Sequence, residues 1–150
     1  MNMFPSLAEA EMIAVDIETC DIGLQNGLGP GGVYGDGYIC GIAVATDTWS
    51  RYFSLRHPDS ENEEIRKVKK WFKKEMTRPL QPKVGANIIY DLEWLRKEGF
   101  KITGPFYDVQ VAEPLIDENR KHYSLKSLSD KYLPEKDRKL GSWLEEEGRR

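Results

Sequence analysis

Cysteine is scarce in this chain of 150 residues: Cys20 and Cys40 are the only two. Their spacing makes neither a zinc-binding pattern nor a disulfide framework, so free thiols in a reducing compartment are expected. Long apolar runs are also missing. No stretch approaches the ~20 residues that cross a bilayer, and Met1 to Leu7 has neither a basic n-region nor an apolar core. A membrane partner is therefore not expected. Excess charge is the third thing lacking: 22 Lys and Arg against 25 Asp and Glu give a net charge of −3. That balance argues against a protein that coats nucleic acid by bulk electrostatics, although an acidic metal site needs no basic surface. Repeats, low-complexity tracts and interdomain linkers are absent too, and the length suits a single domain, residues 1–150, with one core.

What the chain does have is a pair of acids in an awkward place. Asp16 and Glu18 end the apolar run Met12-Ile13-Ala14-Val15. In an extended strand, alternate residues share a face, so Ala14, Asp16 and Glu18 line one side while Ile13, Val15 and Ile17 line the other. Two like charges in one partly desolvated space raise each other's pKa unless a cation neutralises them, which suits a hard divalent metal. A strand that simply ends in solvent, with both acids hydrated, is the alternative.

A second acid is placed just as awkwardly. The stretch from Ala86 to Gly99 has Asn87 before a periodic run and Gly99 after it, the pattern of a capped helix. Its apolar stripe is Ile88, Leu92 and Leu95, and Asp91 falls inside that stripe. Burying an unpaired carboxylate there costs several kcal/mol, so Asp91 needs a partner. A metal held by Asp16 and Glu18 would be one; a structural salt bridge to Lys or Arg is the other.

The remaining pattern alternates strands and helices. Residues 11–19 and 38–46 read as strands, and Trp49 to Leu55 as a third, with Trp49, Arg51, Phe53 and Leu55 on one face and Tyr52 on the other. Glu61 to Met76 carries Ile65, Val68 and Phe72 at helical spacing, with Ser60 and Glu63 as a capping box. Pro82 to Ala86 reads as a short buried strand, Ile102-Thr103 as an edge strand, Asp108 to about Leu115 as a helix, and Ser124 to Tyr132, with Leu125, Leu128 and Tyr132 on one face, as the last helix. The four tryptophans are mainly core residues. Asp108 is placed to cap a helix near the acids and ranks below them as a ligand.

Two other features are weaker. Gly27-x-Gly29-x-x-Gly32 formally matches a dinucleotide-binding fingerprint, but that fingerprint must open a helix, and Pro30 with the neighbouring glycines argues for a loop over 23–37. That loop either joins two strands or clamps a substrate end. Arg66, Lys67, Lys69, Lys70, Lys73 and Lys74 lie mostly opposite the apolar stripe, as a solvated face does. Arg120-Lys121-His122-Tyr123 mixes cations with stacking groups, a combination that can hold single-stranded nucleic acid.

Taken together, Asp16-Ile17-Glu18 on a first strand and Asn87-x-x-x-Asp91 opening a helix resemble the first two motifs of 3′→5′ proofreading exonucleases of the DEDD type. The flanks Gly37–Ala45, Gly85–Leu92 and Tyr123–Leu128 resemble the exonuclease domain of family A, DNA polymerase I-like enzymes in their phage form, over roughly residues 10–140. The resemblance implies an α/β ribonuclease H-like (DnaQ-like) fold, a mixed sheet flanked by helices. It implies that Asp16, Glu18 and Asp91 are catalytic and hold two divalent cations, Mg²⁺ or Mn²⁺, about 3.5–4 Å apart across the scissile phosphate. Asn87 would touch the nucleotide or cap its helix. The partners implied are the 3′ end of single-stranded DNA and the polymerase module of a parent protein, in a monomer in the host cytoplasm.

The family's third motif, Tyr-x-x-x-Asp or His-x-x-x-x-Asp, does not occur in the chain; Tyr132 to Asp137 is one residue too long and is interrupted by Pro134. The expectation is therefore a C-terminally incomplete exonuclease domain without a polymerase domain, trimming slowly or not at all by itself. An inactive fragment or single-strand-binding module of the same fold, and a related RNA-trimming exonuclease, remain the other readings.

Overall fold

The period-two alternation of Ile13, Val15 and Ile17 builds β1 (Ile13–Cys20), which buries those three side chains on one face of a five-stranded sheet. The computed structural model describes residues 3–34, 37–58 and 60–133; Trp143, counted above with the core tryptophans, lies outside them. β1 pairs antiparallel with β2 (Tyr38–Ala45), and β2 antiparallel with β3 (Ser50–Ser54). On its other side β1 runs parallel to β4 (Lys83–Gly85), and β4 parallel to β5 (Phe106–Asp108), giving the order β3-β2-β1-β4-β5.

The helices are α1 (Ile22–Gln25), α2 (Gly31–Tyr34), α3 (Ile65–Met76), α4 (Ile88–Lys97), α5 (Val109–Ile116) and α6 (Leu125–Tyr132). Val68, Phe72 and Met76 of α3 and Trp94 and Leu95 of α4 join the buried face of β1, β2 and β3 in one core. Trp71 packs its ring 5.0 Å from Phe53 and 5.7 Å from Trp49, so the described tryptophans are core or core-edge residues, as expected. Glu75, fully buried, accepts from the Leu7 amide at 2.7 Å and pairs with Arg78 at 2.7 Å, which answers the cost of its burial. The charged side chains of Arg66, Lys67, Lys70, Lys73 and Lys74 are exposed on α3, a solvated face.

Four elements differ from the sequence pattern. α3 begins at Ile65 with Glu64 at its N-cap, because Ser60 bonds instead to Ser54 and Glu63 pairs with Arg51 of β3. Residues 23–37 include the one-turn helices α1 and α2, despite Pro30 and the glycines. Asp21 makes this possible: its carboxylate caps α1 through the Leu24 amide and also accepts from Gly31 N–H at 2.8 Å. The edge strand is Phe106–Asp108, not Ile102-Thr103, and Ile102 is buried in the core. On α6 Leu128 is buried while Leu125 and Tyr132 are exposed.

Backbone contacts divide the chain into two compact units, Met1–Asp108 and Val109–Arg150. In the second, α5 and α6 share a polar network around Glu113, only 2% exposed, whose carboxylate meets Arg120 at 2.9 Å, Lys131 at 2.7 Å and the Tyr132 hydroxyl at 2.7 Å. No helix among the described residues is long and apolar enough to cross a membrane.

Candidate active site

Ile13 N–H donates to the Pro82 carbonyl, so every second amide of β1 faces β4. β4 pairs with β1 only at Ile13 and Ala14, which leaves the Ile17 amide beyond the ladder. Asp91 takes it: its Oδ1 accepts from Ile17 N–H at 3.0 Å. A close helix makes that reach possible. A Cβ at Gly85 would lie 3.1 Å from both the Val15 carbonyl and Ile88, so glycine there lets α4 pack against β1. Asp91 is consequently 3% exposed, on the inner stripe of α4 as its spacing implies.

Three acids share this end of β1, and each is pushed in the same direction. Burial, reinforced by the charge of Asp16 and to a lesser degree Asp108, raises the Asp91 carboxyl to about 7 against the pull of the Ile17 hydrogen bond. Partial burial raises Asp16. Glu18 is raised by partial burial and then by Asp16, with His57 offsetting some of it. No Lys or Arg counts among these influences. Among the described residues no three Asp, Glu, His or Cys side chains form a ready ligand cluster, so the acids share a field without sharing a coordination sphere. Hard oxygen donors whose pKa values are all raised, with no Lys or Arg to offset them, suit a hard divalent ion.

The walls combine residues that the sequence pattern singled out, Glu18 and Asn87, with others that it did not, Thr19, Leu24 and Tyr90. Tyr90, one position before Asp91, bonds through its hydroxyl to Asp21 at 2.9 Å and Thr19 at 2.7 Å, tying α4 to the end of β1. A cleft of about 360 Å³ opens beside Glu18, lined by Ile17, Glu18, Thr19, Leu24, Pro30, Asn87 and Tyr90. Asn87 stands at its edge, exposed, with left-handed backbone (φ 58°) and no capping hydrogen bond from its side chain. The helix cap expected of Asn87 falls instead to Asp108, whose Oδ2 accepts from Ile88 N–H at 2.9 Å. Asp108 at the end of β5 thus holds the start of the helix that carries Asp91.

The glycine fingerprint at 27–32 opens no phosphate-binding helix; α2 is a single turn whose first amide is already bound by Asp21. Arg120 is committed to Glu113, to the His122 carbonyl and to Ser127 within the second unit, and only 15% of its side chain is exposed. The capping role expected of Asp108 is thus found, on the helix that carries Asp91, whereas Tyr90 carried no sequence signal beyond being a tyrosine one place before an acid.

The sequence pattern of a family described as 3′-5′ exonuclease matches residues 1–142. The DNA-directed DNA polymerase of Pseudomonas phage M6 is 33% identical over 136 residues, 88% of this chain and 20% of that protein, so the chain spans about a fifth of that relative. Among solved structures, NrnC of Brucella melitensis with bound Mg²⁺ superposes with a TM-score of 0.57 at 15% identity, over 86% of this chain and 57% of the other. The same protein bound to pGG gives 0.58 at 14% identity, over 86% and 56%. These likenesses establish the α/β, ribonuclease H-like fold, and enzymes of the matched kind use divalent metal ions. The chain belongs to the 3′-5′ exonuclease family and is an exonuclease domain.

Proposed function

We propose that this domain proofreads DNA for a phage-type polymerase, removing nucleotides one at a time from the 3′ end of a single strand, with Asp16, Glu18 and Asp91 as its catalytic, metal-holding carboxylates. The observation that carries this reading is Asp91: a buried acid, fixed by one backbone amide, whose charged neighbours are other acids. Two divalent cations, Mg²⁺ or Mn²⁺, held there would supply the positive charge that screens the phosphate and acidifies the attacking water. In the reaction a water oxygen bonds to the terminal phosphorus, the bond from phosphorus to the preceding 3′ oxygen breaks, that oxygen leaves as a hydroxyl, and a 5′-mononucleotide departs.

The chain's own groups do the positioning. The cleft beside Glu18 offers Leu24 and Pro30 as apolar walls for a base, and Asn87 an amide for its polar edge. Tyr90 and Asp108 keep α4 in place, so the Asp91 oxygens do not drift as substrate enters. The polymerase module of a longer protein is the implied partner, and a monomer in the host cytoplasm the implied setting. A short-RNA trimmer on the same fold is the second reading, supported by the likeness to a nuclease solved with pGG.

Labelled single strands of DNA and RNA, open or blocked at the 3′ end, test these readings with Mg²⁺ or Mn²⁺. Shortening of the open DNA strand alone, lost in Asp16→Ala, is expected. Faster loss of the RNA strand selects the trimming reading. Shortening that survives Asp16→Ala or ignores the block contradicts the site. Metal-dependent preference for an open 3′ end without shortening supports a binding module.

A further inference from the structure

Beside Glu18, across β2, stands a second set of groups, of which only His57 has so far entered the site, through its charge. Glu18 lies directly opposite Gly41, and Gly41 opposite Ser54, while Asp16, Ala43 and Tyr52 form the adjoining row. Residues directly opposite one another share a sheet face with Cβ atoms about 4.5–5.5 Å apart, so Tyr52 shares the acids' face. The small Gly41 and Ala43 leave that face open between them. Tyr52 leans into the opening: a Cβ at Gly41 would lie 1.9 Å from its hydroxyl oxygen. The hydroxyl therefore stands over the residue that faces Glu18.

It is held there by a chain of side-chain contacts. Tyr52 Oη is hydrogen-bonded to His57 Nε2. The backbone of His57 is clamped by Asn62, whose Oδ1 accepts from His57 N–H at 2.8 Å and whose Nδ2 donates to the His57 carbonyl at 2.9 Å. Ser54 Oγ donates to the same Asn62 oxygen at 2.9 Å. These are exposed bonds, and exposed bonds contribute little to stability. Their geometric result is a phenol fixed beside an acidic site, in a residue that is 36% exposed.

We propose that Tyr52 is a substrate-contacting residue whose hydroxyl donates to a non-bridging oxygen of the phosphodiester backbone lying over Asp16 and Glu18, with His57 and Asn62 as its positioning residues. The inference rests on the proposed exonuclease reading. The contact uses the His57 tautomer that carries its proton on Nε2, so that the ring donates to the phenol oxygen and frees the phenolic proton for the phosphate. A phenol suits this place, because a neutral donor beside carboxylates adds a contact to an anionic strand without forming an ion pair with the acids. Two sides of the strand are then engaged: its terminal nucleotide in the Leu24–Asn87 cleft and its backbone at Tyr52.

The test is equilibrium binding of a labelled oligothymidylate with an open 3′ end to the whole chain in Ca²⁺, against the same strand with a methylphosphonate at its last linkages, one linkage at a time. Loss of one hydrogen bond predicts about three- to tenfold weaker binding of the ordinary strand by Tyr52→Phe. One methylphosphonate position should cost the wild type about that factor more than it costs Tyr52→Phe, the coupling a direct contact produces. His57→Gln, which keeps a donor, should bind more tightly than His57→Ala. Gly41→Ala, which drives the phenol away, should lose as much as Tyr52→Phe and add nothing to it. Equal methylphosphonate costs in wild type and Tyr52→Phe at every linkage overturn the contact while leaving the exonuclease reading intact. A wild type that binds no better to an open than to a blocked 3′ end overturns both.

Discussion

Asp91 and Glu113 are nearly equal in burial, 3% and 2% exposed, and opposite in chemistry. Glu113 is met by Lys131, Tyr132 and Arg120, hydrogen bonds that lower its carboxyl to about 2. Burial, with the fields of Asp16 and to a lesser degree Asp108, raises Asp91 to about 7 against the pull of its hydrogen bond from the Ile17 amide. A buried carboxylate is therefore not by itself a sign of function. Glu113 shows what a structural acid looks like in this protein: cations arranged around it by the same fold. Among the described residues no such arrangement surrounds Asp91, which supports the proposal that a ligand brings positive charge there.

The contrast is broken most forcefully by activity. Asp91→Ala should lower exonuclease turnover by about 10²–10³ or more, the loss seen when a transition-state electrostatic contact is removed. Glu113→Gln should leave turnover per folded molecule unchanged and lower the melting temperature. Single-turnover assays beside thermal unfolding separate the two outcomes.

Stability against pH sharpens it next, because the two acids act with opposite sign. The folded pKa of Asp91 is raised from 3.8, so the metal-free fold binds the extra proton, and stability should fall as pH rises from about 4 through about 7, by at most about 4 kcal/mol. Asp91→Asn should flatten that decline. The pKa of Glu113 is lowered from 4.5, so its stabilisation is present above that value and is lost as pH falls toward about 2. Denaturant titrations of metal-free protein across both windows read each slope.

A smaller effect is expected at the residue that holds the Asp91 helix. Asp108→Ala removes the acceptor for Ile88 N–H and should cost about 1 kcal/mol, typical for loss of a helix cap. If Asp108 positions Asp91, the same variant weakens Mn²⁺ binding, whereas Glu113→Gln does not.

How much of this could be read from the chain depends on distance along it. The face shared by Asp16 and Glu18 and the inward placement of Asp91 follow from periods of 2 and 3.6 residues, which are local, and both were legible. The true start of α3 was not: Ser60 and Glu63 carry a capping box, but Ser54 and Arg51 on β3 capture those side chains. Asn87 looked like a capping residue because its type suits the position, while its left-handed backbone leaves the amide of Ile88 to Asp108, 20 residues on. α1 and α2 likewise depend on Asp21 reaching Gly31, 10 residues away. Tyr52 could be assigned a face from alternation, but its place beside Glu18 requires the register of three strands.

Asp91 and its neighbours are proposed to form a site that a divalent cation completes. That site is tested most directly by the melting temperature of metal-free protein at pH 7.5 titrated with Mn²⁺, in the wild type, Asp16→Asn, Asp91→Asn and Glu113→Gln. A saturable rise is expected in the wild type and in Glu113→Gln, and in the two aspartate variants a higher starting value with little or no rise. An equal Mn²⁺-dependent rise in wild type, Asp16→Asn and Asp91→Asn would contradict it.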